Sequence, residues 1–263
     1  MIIWNLNPVA FSIGPLAVRW YGIVYALGFL LGYWVLRQAA KRKLIERLTV
    51  RLAEDYILLL MLGSIIVARF TYVIVYNPLY YLQNPLEIPA VWHGGLSIHG
   101  GLLGAVIVTF YFCRKHRISF YRMADTLVVP LALVLVYGRI ANYVNGELPG
   151  RVTSVPWCVQ FPGVSGCRHP SQIYEALYSY ALFWILFAMT QTKRFADGVI
   201  FWSFILLYGT MRFIVTFYRD FDPTDPAWLG ISLGQWLSFV MVIAALLWFV
   251  TMKKQGRSLV RKA

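Results

Sequence analysis

Long apolar stretches separated by short polar segments recur along the whole chain of 263 residues. A membrane-spanning helix needs roughly 17–25 predominantly apolar residues, and seven stretches reach that length. We predict spans at about 17–36, 53–75, 95–113, 123–144, 171–190, 197–217 and 230–251. The sequence contains no internal repeat and no low-complexity linker. The pattern therefore predicts an all-α, polytopic integral membrane protein with a single membrane domain over residues 1–263.

Composition and charge agree with this pattern and add an orientation. Hydrophobic residues make up 59% of the chain and charged residues only 13%, against about 25% charged in a typical soluble domain. The basic residues cluster in every second loop, at 37–51, 114–122, 193–194 and 253–262. This positive-inside distribution predicts the N-terminus outside and the C-terminus in the cytoplasm. The net charge of +13 then reflects contact with anionic lipid headgroups, and nucleic acid is excluded as a partner.

Three arginines remain well inside the apolar spans after the loop bases and Arg19, at the edge of the first span, are set aside. Arg69 lies about 24 Å along its span at 1.5 Å per residue, and Arg139 and Arg212 reach a similar depth near the outer boundary. A single arginine near a helix end can extend to the interface, but an intramembrane arginine is a functional candidate by default. Guanidinium groups bind phosphate well. Three arginines at one depth therefore indicate a phospholipid headgroup site in the outer leaflet.

The stretch GRIANYVNGELPGR at 138–151 places unusual polarity at the end of an apolar run. Helical spacing puts Arg139, Asn142 and Asn145 toward one side, where the asparagines bind the headgroup or hydrogen-bond across helices. Glu147 either neutralises a neighbouring arginine or contacts the ligand directly. A second polar face, on the sixth span, comprises Tyr208, Arg212, Thr216 and Arg219. We expect both faces to border one cavity.

His99 stands between two glycine pairs in WHGGLSIHGGLLGA, at the outer start of the third span. Histidine is suited to proton transfer near neutral pH, and the alternative is a packed, hydrogen-bonded histidine. The four histidines and three cysteines show no metal-ligand spacing, so no metal is predicted. No nucleotide or dinucleotide motif is present, so no cofactor is predicted. Cys158 and Cys167 share the outer loop after the fourth span. They either form a disulfide, which that compartment permits, or remain two free thiols.

Three stretches together resemble one family: HGGLSIHGGLLG, GRIANYVNGELPGR and RHPSQIYEA. They are supported by RWYG at 19–22, YGTMRFIV at 208–215 and SLGQWLS at 232–238. The central stretch fits the family signature G-R-x-[GA]-N-[FY]-x-N-x-E-x-x-G. These stretches occur in the order in which the family has them, from about residue 11 to about residue 240. On this basis the chain is similar to the prolipoprotein diacylglyceryl transferases.

The resemblance implies a multi-pass transferase of the bacterial plasma membrane with seven spans and its active site toward the outer, periplasmic leaflet. Such enzymes move the diacylglyceryl group of phosphatidylglycerol to the lipobox cysteine thiol of a prolipoprotein. They form a thioether, release glycerol 1-phosphate and need no metal or organic cofactor. The expected partners are therefore phosphatidylglycerol, lipobox-containing prolipoproteins and membrane lipid.

The resemblance also assigns roles to residues. It makes His99, Arg139 and Arg212 the candidate catalytic residues, with His99 as base for the thiol or as a donor that orients the lipid. The candidate phosphatidylglycerol-binding residues, including those from depth and spacing, are Arg139, Arg212, Tyr21, Tyr208, Asn142, Asn145, Glu147, Gly150 and Arg69.

Two positions depart from the family pattern, which often has acids where this chain has His93 and Thr216. Without a glutamate at 216, Arg212 is expected to pair elsewhere or to depend more on the lipid phosphate. A lipid or anion transporter and an inactive, lipid-binding relative remain the rival classes. A transporter predicts polar residues through the full membrane depth, whereas the polar set here clusters in the outer half. Lipid turnover separates an enzyme from an inactive relative.

Overall fold

The computed structural model describes residues 2–14, 16–192, 194–220, 231–255 and 258–260, apart from the side chains of Ile13, Leu16, His93, Ile98, His99 and Leu233. Its helices are α1 (Trp20–Lys41), α2 (Val50–Val75), α3 (Pro78–Gln83), α4 (Ile98–Lys115), α5 (Phe120–Val144), α6 (Ser171–Thr192), α7 (Val199–Thr216) and α8 (Leu233–Lys254). Short 3-10 turns cover Pro85–Glu87 and Val91–His93. The strands are β1 (Ile2–Ile3), β2 (Val9–Ile13), β3 (Leu16–Arg19) and β4 (Val159–Gln160).

Each predicted span coincides with a helix, and the polytopic, mainly helical character is confirmed. Within the described residues, six helices are long and apolar enough to cross a membrane: α1, α2, α5, α6, α7 and α8. The third predicted span corresponds to α4, which has 18 residues and ends in Arg114 and Lys115. Polar residues at its ends dilute its apolar character, and it is not among the six. The count of seven and the orientation of the termini therefore stay predictions.

The chain divides into two compact units, residues 29–126 and residues 1–28 with 127–263. In the first, α2 and α4 lie against each other through small residues. A Cβ on Gly104 would lie 2.8 Å from the Gly63 carbonyl oxygen, and one on Gly100 would lie 2.5 Å from Thr71 Oγ1. Glycine at these positions therefore permits the close approach of the two helices.

The second unit is built around α5, α6 and α7, whose buried apolar side chains form one cluster. Its members are Val128, Ala132, Leu182, Leu186, Ile200 and Phe204. Helix α8 packs on α7 at Gly209, where a Cβ would lie 3.1 Å from the Ser238 carbonyl oxygen. The Ser232 side chain and Gln235 form a capping box that begins α8.

A small β-structured region in the same unit connects the chain's beginning to the end of α5. β1 pairs in parallel with β4, and β2 pairs antiparallel with β3. Trp4 Nε1 donates to the Tyr143 carbonyl oxygen at 2.7 Å. Cys158 and Cys167 form a disulfide, which decides between the two states that the sequence left open. These contacts fix the segment that follows α5, which includes the end of the signature stretch at 138–151.

Candidate active site

A buried carboxylate, that of Glu175, lies at the centre of a cluster of three arginines. Glu175 begins the second turn of α6 and is only 2% exposed. Its Oε2 lies 2.5 Å from Arg139 Nε on α5. Its Oε1 accepts hydrogen bonds from Arg212 Nη1 on α7 and, at 3.1 Å, from Arg219 Nη1 just beyond α7. One side chain therefore joins three separate parts of the chain.

The cluster carries more positive than negative charge. Three guanidinium groups against one carboxylate leave an excess of two positive charges, and the three arginine side chains are largely buried. Burial, followed by the nearby Arg212, lowers the pKa of the Arg219 guanidinium. Buried charge is costly unless it is compensated. An additional anion would therefore be stabilised here, and a phosphate matches the planar donor geometry of guanidinium.

The signature stretch contributes a network of hydrogen bonds beside the cluster. Arg139 Nη1 donates to Asn142 Oδ1 at 3.2 Å, and Asn142 Nδ2 donates to Glu147 Oε2 at 3.0 Å. Asn145 Nδ2 donates to Glu147 Oε1 at 3.1 Å. Gln172 Nε2, from α6, donates to the Glu147 carbonyl oxygen at 2.6 Å. The structure thus brings the predicted residues Arg139, Asn142, Asn145 and Glu147 together.

The carboxylate of Glu147 contacts asparagine side chains, whereas an arginine was one of its two predicted partners. Its carboxylate accepts from two asparagine amides, while the carboxylate paired with Arg139 is that of Glu175. The difference arises because α5 ends at Val144 and the chain turns through Gly146 at φ +69°. After that turn, Glu147 orients Asn142, which in turn orients Arg139. Direct contact of Glu147 with a ligand stays a prediction.

Of the two predicted tyrosines, Tyr208 interacts with this cluster directly and Tyr21 is linked to it through Tyr25. The Tyr208 side chain interacts electrostatically with Arg139, and its ring meets that of Tyr178 edge to face at 6.0 Å. The Tyr21 and Tyr25 hydroxyls lie 3.0 Å apart, and Tyr25 interacts electrostatically with Arg139. Tyr25 and Tyr178 are additions to the residues that the sequence indicated.

Helix α6 presents a polar stripe that sequence reasoning missed. Gln172, Glu175 and Ser179 follow one another at three- and four-residue steps, so they share one face of the helix. Among the described residues, Gln172 Oε1, Ser179 Oγ and the buried Tyr178 hydroxyl have no hydrogen-bond partner. A polar ligand bonding to such atoms would recover about 1–3 kcal/mol for each. Polar residues at helical spacing inside an apolar span were the signal available for finding them.

The end of the signature stretch holds the backbone that carries Arg219. Gly150 forms an antiparallel bridge with Arg219. Arg151 donates from its backbone N–H to the Tyr218 carbonyl oxygen at 3.0 Å and from Nε to the Arg219 carbonyl oxygen at 2.9 Å. A Cβ on Gly150 would lie 2.5 Å from the His169 carbonyl oxygen. The structure thus gives Gly150 a positioning role, and direct lipid contact stays a prediction.

Arg212 obtains its carboxylate partner from a different helix. Thr216, where the resembled family often has a glutamate, donates its hydroxyl to the Arg212 carbonyl oxygen at 2.7 Å. Glu175 on α6 pairs with the Arg212 side chain instead. Of the two alternatives left open for Arg212, the structure shows pairing with a carboxylate outside its own helix.

Arg69 lies in the unit of residues 29–126 and is 4% exposed. Its guanidinium donates to five backbone carbonyl oxygens, those of Glu87, Ile88, Ala90, Gly94 and Gly95. It also lies 5.1 Å from the ring centroid of Tyr81. Because a guanidinium has five N–H groups, these bonds match its donor capacity. This arrangement supports a positioning role for Arg69, whereas its phosphatidylglycerol binding stays a prediction.

The backbone of His99 lies in the first turn of α4, and its side chain lies outside the described part of the structure. The N-cap of this helix is Ser97, whose side chain accepts from the Gly100 N–H at 3.3 Å. The Ser97 N–H donates to the Ala68 carbonyl oxygen at 3.1 Å, next to Arg69 in sequence. The backbone that carries His99 is therefore fixed to α2, while its catalytic role stays a prediction.

Comparisons with known proteins agree over almost the whole chain. A family model described as prolipoprotein diacylglyceryl transferase matches residues 8–251. A phosphatidylglycerol–prolipoprotein diacylglyceryl transferase of Geobacter sulfurreducens is 45% identical over 245 residues, covering 92% of this chain and 94% of the relative. A protein of the same name from Bordetella parapertussis is 43% identical over 244 residues, with 91% and 93% covered. One from Rhodospirillum rubrum is 39% identical over 256 residues, with 95% and 93% covered.

Proposed function

The chain belongs to the prolipoprotein diacylglyceryl transferase family, and on that premise we propose that it transfers the diacylglyceryl group of phosphatidylglycerol to prolipoproteins. The acceptor in this proposal is the lipobox cysteine thiol. The observation that carries it is the cluster of Arg139, Arg212 and Arg219 around Glu175, because its excess positive charge suits a lipid phosphate. The reaction is the first step of lipoprotein maturation.

The reaction forms one bond and breaks another at a single carbon. The cysteine sulfur attacks the glycerol carbon of the diacylglyceryl group that carries the phosphate ester. The carbon–oxygen bond breaks, a thioether forms, and glycerol 1-phosphate leaves. The sulfur must lose its proton, since the thiolate is the nucleophile. When thiolate attacks, its negative charge moves to the departing phosphate, which therefore becomes more anionic during the reaction.

Arg139 and Arg212 supply the charge that the departing phosphate needs. Glu175 and Asn142 account for Nε and Nη1 of Arg139, and a guanidinium has further N–H groups for a ligand. Donors that are fixed before the reaction, in a site of low dielectric, stabilise developing negative charge strongly. Glu175 fixes these guanidinium groups without cancelling their charge. Tyr21, Tyr208, Asn142, Asn145, Glu147 and Gly150 complete the headgroup site in this proposal.

His99 is the proposed base for the thiol or the donor that orients the lipid. The family resemblance supports its involvement, and the glycines around it allow the backbone to approach α2 closely. A base makes the rate depend on the protonation of His99, whereas an orienting donor alters lipid affinity. The pH dependence of turnover in a His99 variant therefore distinguishes the two roles.

We place the protein in the bacterial inner membrane with seven spans, of which α4 is the additional one. The basic clusters in every second loop support an external N-terminus, a cytoplasmic C-terminus and an odd number of spans. The arginine cluster then lies toward the outer leaflet, where Arg139 lies near the end of α5 and Arg212 near the end of α7. The disulfide between Cys158 and Cys167 agrees with an oxidising compartment on that side.

Purified protein mixed with phosphatidylglycerol and a lipobox peptide provides the direct test. The expected products are a diacylglyceryl peptide and glycerol 1-phosphate, both identified by mass spectrometry. A matching peptide with serine in place of cysteine controls for acceptor chemistry. Binding of phosphatidylglycerol without either product would contradict the proposal and identify a lipid-binding relative. Movement of intact phosphatidylglycerol between leaflets without products would favour transport.

A further inference from the structure

Helix α4 has two contrasting faces along its second half. One face is buried and packs toward α2, with Val108, Phe112 and Cys113 each less than a tenth exposed. The Tyr56 hydroxyl of α2 lies 2.8 Å from Thr109 Oγ1 on this face. The other face carries large exposed apolar side chains followed by two bases: Val106, Ile107, Phe110, Tyr111, Arg114 and Lys115.

The exposed face forms a shallow, open groove. Its volume is about 620 Å³, and it is lined by the six residues of the exposed face together with Phe120 of α5. The lining is overwhelmingly apolar, and the volume falls within the roughly 300–1,000 Å³ of small-molecule sites. From Val106 to Lys115 the helix rises about 14 Å at 1.5 Å per residue. This shape suits a flexible hydrocarbon chain lying along the helix.

Two cations are held at one end of this groove. The Arg114 guanidinium lies 5.8 Å from the ring centroid of Phe110, and Lys115 Nζ lies 5.8 Å from that of Tyr111. Each base therefore folds back over the aromatic ring one helical turn earlier. Both charges remain beside the groove, at the level where an apolar lining gives way to a basic loop.

We propose that this groove binds one anionic phospholipid, with an acyl chain along α4 and the phosphate at Arg114 and Lys115. Charge complementarity selects the occupant, because two cations favour a headgroup with net negative charge over a zwitterionic one. A plain lipid-facing helix surface contacts any lipid, whereas a concave groove ending in paired cations discriminates between headgroups. The basic cluster at 114–122 places this lipid in the cytoplasmic leaflet.

This site uses different residues from the arginine cluster around Glu175, and it does not rest on the proposed transfer reaction. Phosphatidylserine is the suitable probe, since it is anionic and is not the proposed donor lipid. Phe110→Trp places a fluorescent reporter in the groove and keeps an aromatic ring beside Arg114. The full-length protein is reconstituted in nanodiscs with acyl-brominated phosphatidylserine or acyl-brominated phosphatidylcholine at equal mole fraction. Signal from the native tryptophans is subtracted with the protein that retains Phe110.

We expect brominated phosphatidylserine to quench the reporter at a much lower mole fraction than brominated phosphatidylcholine. Adding Arg114→Gln and Lys115→Gln should reduce this preference about tenfold. The matched control, Lys41→Gln with Arg42→Gln, neutralises two exposed bases at the end of α1 and should leave it unchanged. Equal quenching by both lipids, an unchanged preference in the Arg114/Lys115 variant, or an equal loss in the control would each overturn the site.

Discussion

Glu175 Oε2 lies 2.5 Å from Arg139 Nε, so a carboxylate near the start of α6 fixes a guanidinium near the end of α5. The same carboxylate binds Arg212 and Arg219 through its other oxygen. The orientation of the three clustered guanidinium groups therefore depends on one negatively charged side chain. This dependence makes Glu175 the most informative position to change.

Glu175→Gln keeps the size of the side chain but removes its charge. Removing one partner of a buried ion pair destabilises by about 3–5 kcal/mol, so a lower melting temperature in detergent is expected. Displacement of a catalytic group by about 1 Å can reduce the rate about 10²-fold, and we expect a loss of transfer of this size. Glu46→Gln, at an exposed surface pair, is the control. Wild-type stability and turnover in Glu175→Gln would contradict the central role of this carboxylate.

Arg139→Ala is expected to reduce the turnover number by about 10²–10³-fold, or about 3 kcal/mol, because it removes a fixed donor at the phosphate. Arg139→Lys retains the charge but not the planar guanidinium. Its activity should therefore lie between that of the wild type and that of Arg139→Ala. Steady-state kinetics with phosphatidylglycerol and a lipobox peptide measure both effects. Arg51→Ala, at an exposed position in the first turn of α2, serves as control. Full activity in Arg139→Ala would remove this residue from the mechanism.

Gly150→Ala tests whether the signature stretch positions Arg219. The added Cβ would lie 2.5 Å from the His169 carbonyl oxygen and 2.6 Å from that of Tyr218, so the Gly150–Arg219 bridge must shift. We expect lower transfer activity and a lower melting temperature. Gly138→Ala is the matched control from the same stretch, because a Cβ there meets no described atom within 4 Å and alanine favours a helix by about 1 kcal/mol. Equal effects of the two substitutions would contradict the positioning role.

Arg69→Lys tests whether Arg69 holds the segment before α4. A lysine ammonium has three donors, so at least two of the five carbonyl oxygens would lose their partner, at about 1–3 kcal/mol each. Hydrogen exchange of residues 87–95 should become faster. Arg42→Lys, at an exposed position, should leave that exchange unchanged. Unchanged exchange together with weaker phosphatidylglycerol binding would instead support direct lipid contact by Arg69.

The disulfide between Cys158 and Cys167 closes a loop with a sequence separation of 9. Cross-linking a loop of this size stabilises by about 2–3 kcal/mol in the chain-entropy model. Cys158→Ser with Cys167→Ser should therefore lower the melting temperature. Wild-type protein in a reducing agent should show the same decrease, and the double variant should not respond to the reductant. A wild-type melting temperature in the double variant would show that the disulfide does not stabilise the fold.

The spans and all three clustered arginines were predictable, because apolar length and the depth and spacing of charges along a helix are properties of short stretches of sequence. Arg139 and Arg212 stood out in this way. Glu175 carries the same signal, as a charge inside an apolar span, but its pairing was not predictable. Its bond to Arg212 joins residues 37 positions apart, and no helical periodicity shows which helices are neighbours. The carbonyl oxygens around Arg69 were equally hidden. They belong to irregular backbone, whose orientation side-chain types do not reveal.

The reliance of three arginines on Glu175 also has a consequence for biosynthesis. During translation, Arg139 emerges before α6, and Arg212 and Arg219 emerge only after α6 is complete. A nascent chain that stops after α5 holds Arg139 without its carboxylate, and one that stops after α6 holds Glu175 with a single arginine. The geometry of the proposed phosphate site therefore arises only once α7 has been inserted. A partly inserted chain therefore lacks the complete set of ion pairs that this site requires.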